Sequence, residues 1–248
     1  MIRSKSPREI RYMCDAGKVV ARTHEELAKA VKQGISTKEL DQIAEDYIIS
    51  QGAVPSFKGY RGFPASICTS VNHVVVHGIP SLDLLNNGDI ISIDIGAILN
   101  GYHGDAAKTL PIGEISETAE KLLQVTEESL HKGIEQAVIG NRLSDISYAV
   151  QTHVENNGFS VVRDYCGHGI GRAMHEEPQI LNYGNPGHGP KLKDGYCLAI
   201  EPMVNVGTHN VSVLKDRWTV ITNDKQLSAH FEHSVAVTEE GPLILTEL

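Results

Sequence analysis

Two aspartates, Asp94 and Asp105, flank an Asn100-Gly101 dipeptide inside a run of apolar, β-branched residues. Asn-Gly accepts the positive φ that a tight two-residue hairpin demands, so the spacing predicts two antiparallel strands joined there. In that register Asp105 faces Gly96, and Asp94 lies diagonally across on the same face. Diagonal β-carbons are roughly 7 to 8 Å apart, within reach of one or two shared cations. Ile93 and Ile95 beside Asp94 point to a buried strand. A buried, unpaired carboxylate is costly, so the pair calls for something positive between its members.

The second half offers three further candidate ligands: His168 in Gly167-His-Gly-Ile-Gly171, Glu201 in Leu198-Ala-Ile-Glu-Pro202, and Glu232 in Ser228-Ala-His-Phe-Glu-His233. Both glutamates interrupt apolar, strand-like runs, although a lone Glu at a strand end is more often simply solvated. The glycines around His168 could mark only a turn, and Arg172 stands where a dinucleotide fingerprint needs its third glycine, so a Rossmann site is rejected. His175-Glu176-Glu177-Pro178 lacks the second His of a zincin, and Pro178 opposes a continuing helix.

Capping signals mark the elements that must hold these groups. Ser6-Pro7-Arg8-Glu9 and Ser36 to Glu39 are capping boxes, the first with Pro at the first helical position. The first helix carries Ile10, Met13, Gly17, Val20 and Leu27 at helical spacing; the second should stop near Gly52. Strands are expected at 67–76, 89–99 and 102–110, helices at 117–138 and 143–156, then strands at 196–206, 219–221, 228–237 and 243–245. At a constant offset Gly34 matches Gly140, Leu40 matches Ile146, Ala44 matches Val150 and Gly52 matches Gly158. The order of elements repeats with them, which suggests duplication and a pseudo-twofold arrangement. No linker-like composition divides the halves. The expectation is one α+β domain, residues 1–248, with helices on one face of a curved, mainly antiparallel sheet.

Composition is that of an ordinary globular chain, with 41% hydrophobic and 21% charged residues. A net charge of −9 argues against binding to a phosphate backbone, so no direct nucleic-acid partner is expected. The charged N-terminal segment lacks a signal-peptide core, and no run is long enough for a membrane span, so a cytoplasmic location is expected. Cys14, Cys68, Cys166 and Cys197 have no metal-knuckle spacing and are read as reduced thiols.

Across essentially its whole length the sequence resembles the bacterial type I methionine aminopeptidases of metallopeptidase family M24. The matching segments are His77-Gly-Ile-Pro80, Ser92-Ile-Asp94, Gly101-Tyr-His-Gly-Asp105, Gly167-His-Gly-Ile-Gly171, His175-Glu-Glu-Pro178, Ala199-Ile-Glu-Pro-Met203 and Glu232-His233. The resemblance implies a pita-bread fold and a hydrolase that removes N-terminal methionine from nascent chains, preferentially ahead of a small second residue. It implies two divalent ions (Co, Mn, Fe or Zn) held by Asp94, Asp105, His168, Glu201 and Glu232, with Asp105 and Glu232 bridging. A hydroxide shared by the ions would attack the peptide carbonyl. Glu201 would also shuttle a proton, His175 would stabilise the oxyanion, and His77 would contact the scissile amide. Tyr60, Phe63, Cys68, Met174 and Trp218 would form the methionine pocket, with His77 at its edge. A monomer meeting nascent N-termini at the ribosome is the implied habit.

Met174, Arg61, Phe63 and His230 stand where many relatives carry an aromatic residue, His, Tyr and Gln; none of the four is a ligand, so they bear on pocket shape and substrate range. Two rival readings fit the sequence less well. Proline-directed peptidases of the same fold usually add an N-terminal domain that 248 residues do not accommodate, and a metal-free binding module would not need all five ligands. Position two is Ile, so the family's size rule predicts that the chain keeps its own Met1.

Overall fold

A computed structural model describes residues 2–248. Four helices, α1 (Pro7–Ala30), α2 (Thr37–Ser50), α3 (Glu117–Glu135) and α4 (Leu143–Asn156), cover one face of a curved, largely antiparallel sheet. Both capping boxes form as the sequence predicts: Ser6 and Ser36 accept from the amides of Glu9 and Glu39, whose carboxylates accept the cap amides in return. Such a cap contributes about 1 kcal/mol, enough to fix where each helix begins.

The long hairpin pairs Ile90–Leu99 with Tyr102–Pro111 across Asn100 (φ 54°) and Gly101 (φ 78°), so Gly96 faces Asp105. Its two faces have different work. Ile91, Ile93, Ile95 and Ala97 enter one core with Val20 and Leu27 of α1 and Leu40, Ala44 and Ile48 of α2. In the second half Leu198, Ile200, Val235 and Val237 meet Leu130, Ile134, Leu143 and Ile146 of α3 and α4. At roughly 1.5 to 3 kcal/mol per large aliphatic side chain, these two cores are the main force pressing the helices onto the sheet. α1 approaches the hairpin backbone closely, because a Cβ on Gly104 would lie 2.7 to 2.9 Å from the backbone of Ala16 and Gly17.

The internal repeat is visible in three dimensions. Gly34 and Gly140, and Gly52 and Gly158, all have positive φ, and Leu40, Ala44, Ile146 and Val150 are all buried. The Gly34 amide donates to Leu85 O and the Gly140 amide to Leu192 O, at 2.8 and 3.2 Å. Where the two halves meet, Glu232–Thr238 pairs with Tyr102–Pro111 on one side and with Cys197–Ile200 on the other.

Several expected strands are shorter than the sequence pattern suggests. The 67–76 run is two strands, Ile67–Val71 and Val74–Val76, turned at Asn72 with φ 54°. The 196–206 run breaks at Glu201-Pro202, because Pro cannot donate to a ladder, and the 228–237 run breaks at Phe231. α3 ends at Glu135, not 138. Two short strands, Gly167–Gly169 and Glu176–Ile180, lie outside the expected set, because glycine-rich or very short segments give no alternation to read. No helix among the described residues is long and apolar enough to cross a membrane, and all four cysteines are free thiols.

Candidate metal centre

The sheet register brings the acidic side chains to one place. Asp94 and Glu232 both pair with Ala107, one from each side, and Ala107 is too small to separate them. Ile200 pairs with His233, so Glu201, next along, comes opposite Glu232. Asp105, two residues from Ala107, shares its face. Neighbouring strands lie about 4.8 Å apart, so the carboxylates converge opposite the helix-covered side.

Asp105 is fixed where the halves meet. Its amide donates to Ser234 Oγ at 3.1 Å, and that hydroxyl donates to Asp105 O at 2.9 Å. His168 lies on Gly167–Gly169, paired with Ala199 of the Glu201 strand. Its Nδ1 sits 2.9 Å from Gly169 O; a carbonyl can only accept, so Nδ1 carries the proton and Nε2 keeps a free lone pair. Nε2 is 3.7 Å from Asp105 Oδ2 and 3.6 Å from Glu201 Oε1. Asp105, His168 and Glu232 form the tightest group, with ligand atoms all within 4.8 Å of one another. Asp94 and Glu201 line the same cavity beside them.

The donor chemistry of this cluster fits divalent metal. Asp94 Oδ1, Asp105 Oδ1 and Glu232 Oε1 are buried without a hydrogen-bond partner, which is costly unless a cation receives them. Burial, reinforced by repulsion from their neighbours, holds the Asp94, Glu201 and Glu232 carboxyls well above the usual range. Burial pushes Asp105 up to about 8. Such a group is held together either by protons or by metal ions, and oxygen donors with one imidazole suit Mn, Fe, Co or Zn. His168 is kept neutral, and so ligand-ready, because burial lowers its pKa.

The remaining expected residues surround the same cavity. Tyr60, Phe63, Cys68, His77, Met174, His175 and Trp218 all line it. Phe63, Cys68 and Met174 pack in one apolar cluster with Phe57, and Tyr60 and Trp218 close over it. Trp218 meets Phe63 edge-on at 5.1 Å, which makes it a cavity wall. His77 (φ 58°) stands edge-on to Tyr165 and Trp218. His175 lies 4.2 Å from the His168 ring, centroid to centroid, and stacks on Tyr60, whose hydroxyl is 2.9 Å from His175 Nδ1. Burial lowers both His77 and His175 to about 4; His175 depresses His77, while His168 and then Arg61 depress His175.

Sequence reasoning missed Ser234, the Tyr60–His175 bond and Phe57. Each depends on contacts between distant segments, and no local pattern announces them. His230 is also closer to the centre than its sequence suggested: it is buried, and its Nε2 lies 3.7 Å from Glu201 Oε2.

Comparison with known proteins gives a single answer. Residues 11–239 match the model of metallopeptidase family M24. Methionine aminopeptidase 1 of Bacillus subtilis is 62% identical over the full length of both chains. The solved methionine aminopeptidase of Rickettsia prowazekii superposes with a TM-score of 0.98 at 44% identity, covering 99% of this chain and 100% of its own. That of Thermotoga maritima gives 0.98 at 45%, with full coverage of both. The fold is therefore the pita-bread fold, and the chain belongs to metallopeptidase family M24, within its methionine aminopeptidase branch.

Proposed function

We propose that the methionine aminopeptidase activity of this chain rests on two divalent ions held by Asp94, Asp105, His168, Glu201 and Glu232. Asp105 and Glu232 would be placed to serve both ions, Asp94 would serve one, and His168 with Glu201 would serve the other. The observation that carries this reading is the convergence on one cavity of four carboxylates, three of them (Asp94, Asp105 and Glu232) with a buried oxygen that lacks a partner, and one lone-pair imidazole. When bound, such a pair polarises the substrate carbonyl and makes water a competent nucleophile at neutral pH.

The side chains then divide the remaining work. Glu201 takes the proton of the nucleophile and passes it to the leaving amine. His175 is neutral at physiological pH; with the Tyr60 hydroxyl donating to Nδ1, its Nε2–H faces the developing oxyanion. His77, also neutral, contacts the scissile amide. The apolar wall of Tyr60, Phe63, Cys68, Met174 and Trp218 receives the methionine side chain, where each sulfur–aromatic contact is worth roughly 0.3 to 1.5 kcal/mol. A small second residue is preferred, the natural substrates are nascent N-termini at the ribosome, and the chain works as one catalytic domain and a cytoplasmic monomer.

Peptide hydrolysis tests this directly. The chelated protein, resupplied with Mn or Co, is expected to release Met from Met-Ala-Ser and nothing from Xaa-Pro peptides. Absence of metal-dependent Met release would refute it.

A further inference from the structure

We infer that a partly buried ion pair between Lys5 and Glu176 is a positioning device for His175. Lys5 stands before α1, and its side chain is only 4% exposed; Nζ donates to Glu176 Oε2 at 2.6 Å and to Arg3 O at 3.1 Å. Glu176 directly follows His175 and opens the return strand of the hairpin whose outgoing strand carries His168. Its second oxygen, Oε1, accepts the Ala173 amide at 3.3 Å. One carboxylate therefore joins the N-terminal segment to the backbone of the loop that presents Met174 and His175.

The surroundings are built around this pair. A Cβ on Gly171 would lie 2.5 Å from Lys5 Cε and 2.6 Å from Glu176 Oε1, and one on Gly195 would lie 2.4 Å from Lys5 O. The Lys5 amide donates to Gly195 O at 2.7 Å, and Gly171 O accepts the His103 amide at 2.9 Å. A second tie runs in parallel: Arg172 lies over the Tyr102 ring at 4.6 Å, and the Tyr102 hydroxyl donates to Glu9 at 2.9 Å. Two points of the loop are thus moored to the segment at the start of α1.

An ion pair with its lysine buried and its glutamate only one-fifth exposed is a poor device for stability alone, since well-packed apolar residues often serve as well or better. Its advantage is direction: bonds to both carboxylate oxygens fix where the loop backbone runs. The ring that follows from that path stacks on Tyr60 and sits against His168. Displacing a reacting group by about 1 Å can cost on the order of a hundredfold in rate.

The inference rests on the role proposed for His175, and a double-mutant cycle separates the two. Lys5→Met and Glu176→Gln are each combined with His175→Ala in the manganese-loaded full chain, measuring kcat on Met-Ala-Ser and bound manganese. Glu176→Gln keeps size and removes charge, so it serves if Lys5→Met fails to fold. The expected result is a tenfold or greater loss of kcat in each single variant at unchanged manganese content, with no further loss once His175 is Ala. Equal losses in both backgrounds, or a lowered Tm with unchanged kcat, overturn the positioning role. Full activity of His175→Ala itself would instead overturn the reading of the site on which the inference rests.

Discussion

Metal removal should make the stability of this protein depend on pH in a direction opposite to ordinary acid denaturation. The Asp105 carboxyl is raised by burial from 3.8 to about 8. A group raised in the folded state contributes its full stability below the unfolded pKa and loses it as pH climbs through the folded one. In the chelated protein the unfolded chain therefore ionises first between pH 4 and 8, and folding must retain a proton that solvent increasingly wants. Four pH units at about 1.4 kcal/mol each set an upper bound of roughly 6 kcal/mol from this group alone, a large part of a typical total of about 5 to 15 kcal/mol. Asp94, Glu201 and Glu232 are displaced in the same direction. Divalent ions bound there would replace those protons, so the metal-loaded protein should escape the loss. Urea denaturation of chelated and manganese-loaded protein at pH 5, 6, 7 and 8 measures it. The stability gap should widen steadily with pH; a gap that stays constant over that range would refute the assignment of the carboxylates to one buried cluster.

Other consequences are equally direct. Asp105→Asn should weaken binding at both ions, whereas Asp94→Asn should mainly spare the His168 side, which metal titration by calorimetry resolves as the loss of two binding events or one. His77→Ala and His175→Ala should each lower kcat/KM by about ten- to a thousandfold; an unchanged value in either removes that residue's proposed role. Tyr60→Phe deletes the hydroxyl 2.9 Å from His175 Nδ1 and should lower kcat several-fold while leaving metal content alone. The protein expressed in cells should retain Met1, which lies outside the described residues, because Ile2 follows it; intact mass decides.

The parts of this fold that could be read from sequence are those set by neighbours along the chain. Ser6, Ser36 and the Asn100-Gly101 turn each declare their geometry within a few residues, and the structure reproduces both capping boxes and the facing of Gly96 and Asp105. The repeated glycines were legible because positive φ is a local demand. The grouping of His168, Glu201 and Glu232 was not. Those residues lie on short or interrupted strands whose pairing is decided by the opposite half, and family resemblance supplied their assembly. Asp41 makes the same point away from the site. It is buried on α2, where its carboxylate accepts the amides of Ser66 and Ile67, but nothing near it in sequence distinguishes it from a solvated helix residue.

The hairpin also has a meaning in time. Asp94 and Asp105 are brought together by a local turn, a contact that carries little loop-closure cost and can form early. Glu232 reaches Ala107 only when the far half of the chain docks, so the complete cluster belongs to the end of folding. Ions held there would stabilise contacts expected to form after the folding transition state, and such contacts act on the unfolding rate. Metal should therefore serve this protein as a kinetic latch: chelation hastens its opening and leaves the speed of its folding almost untouched.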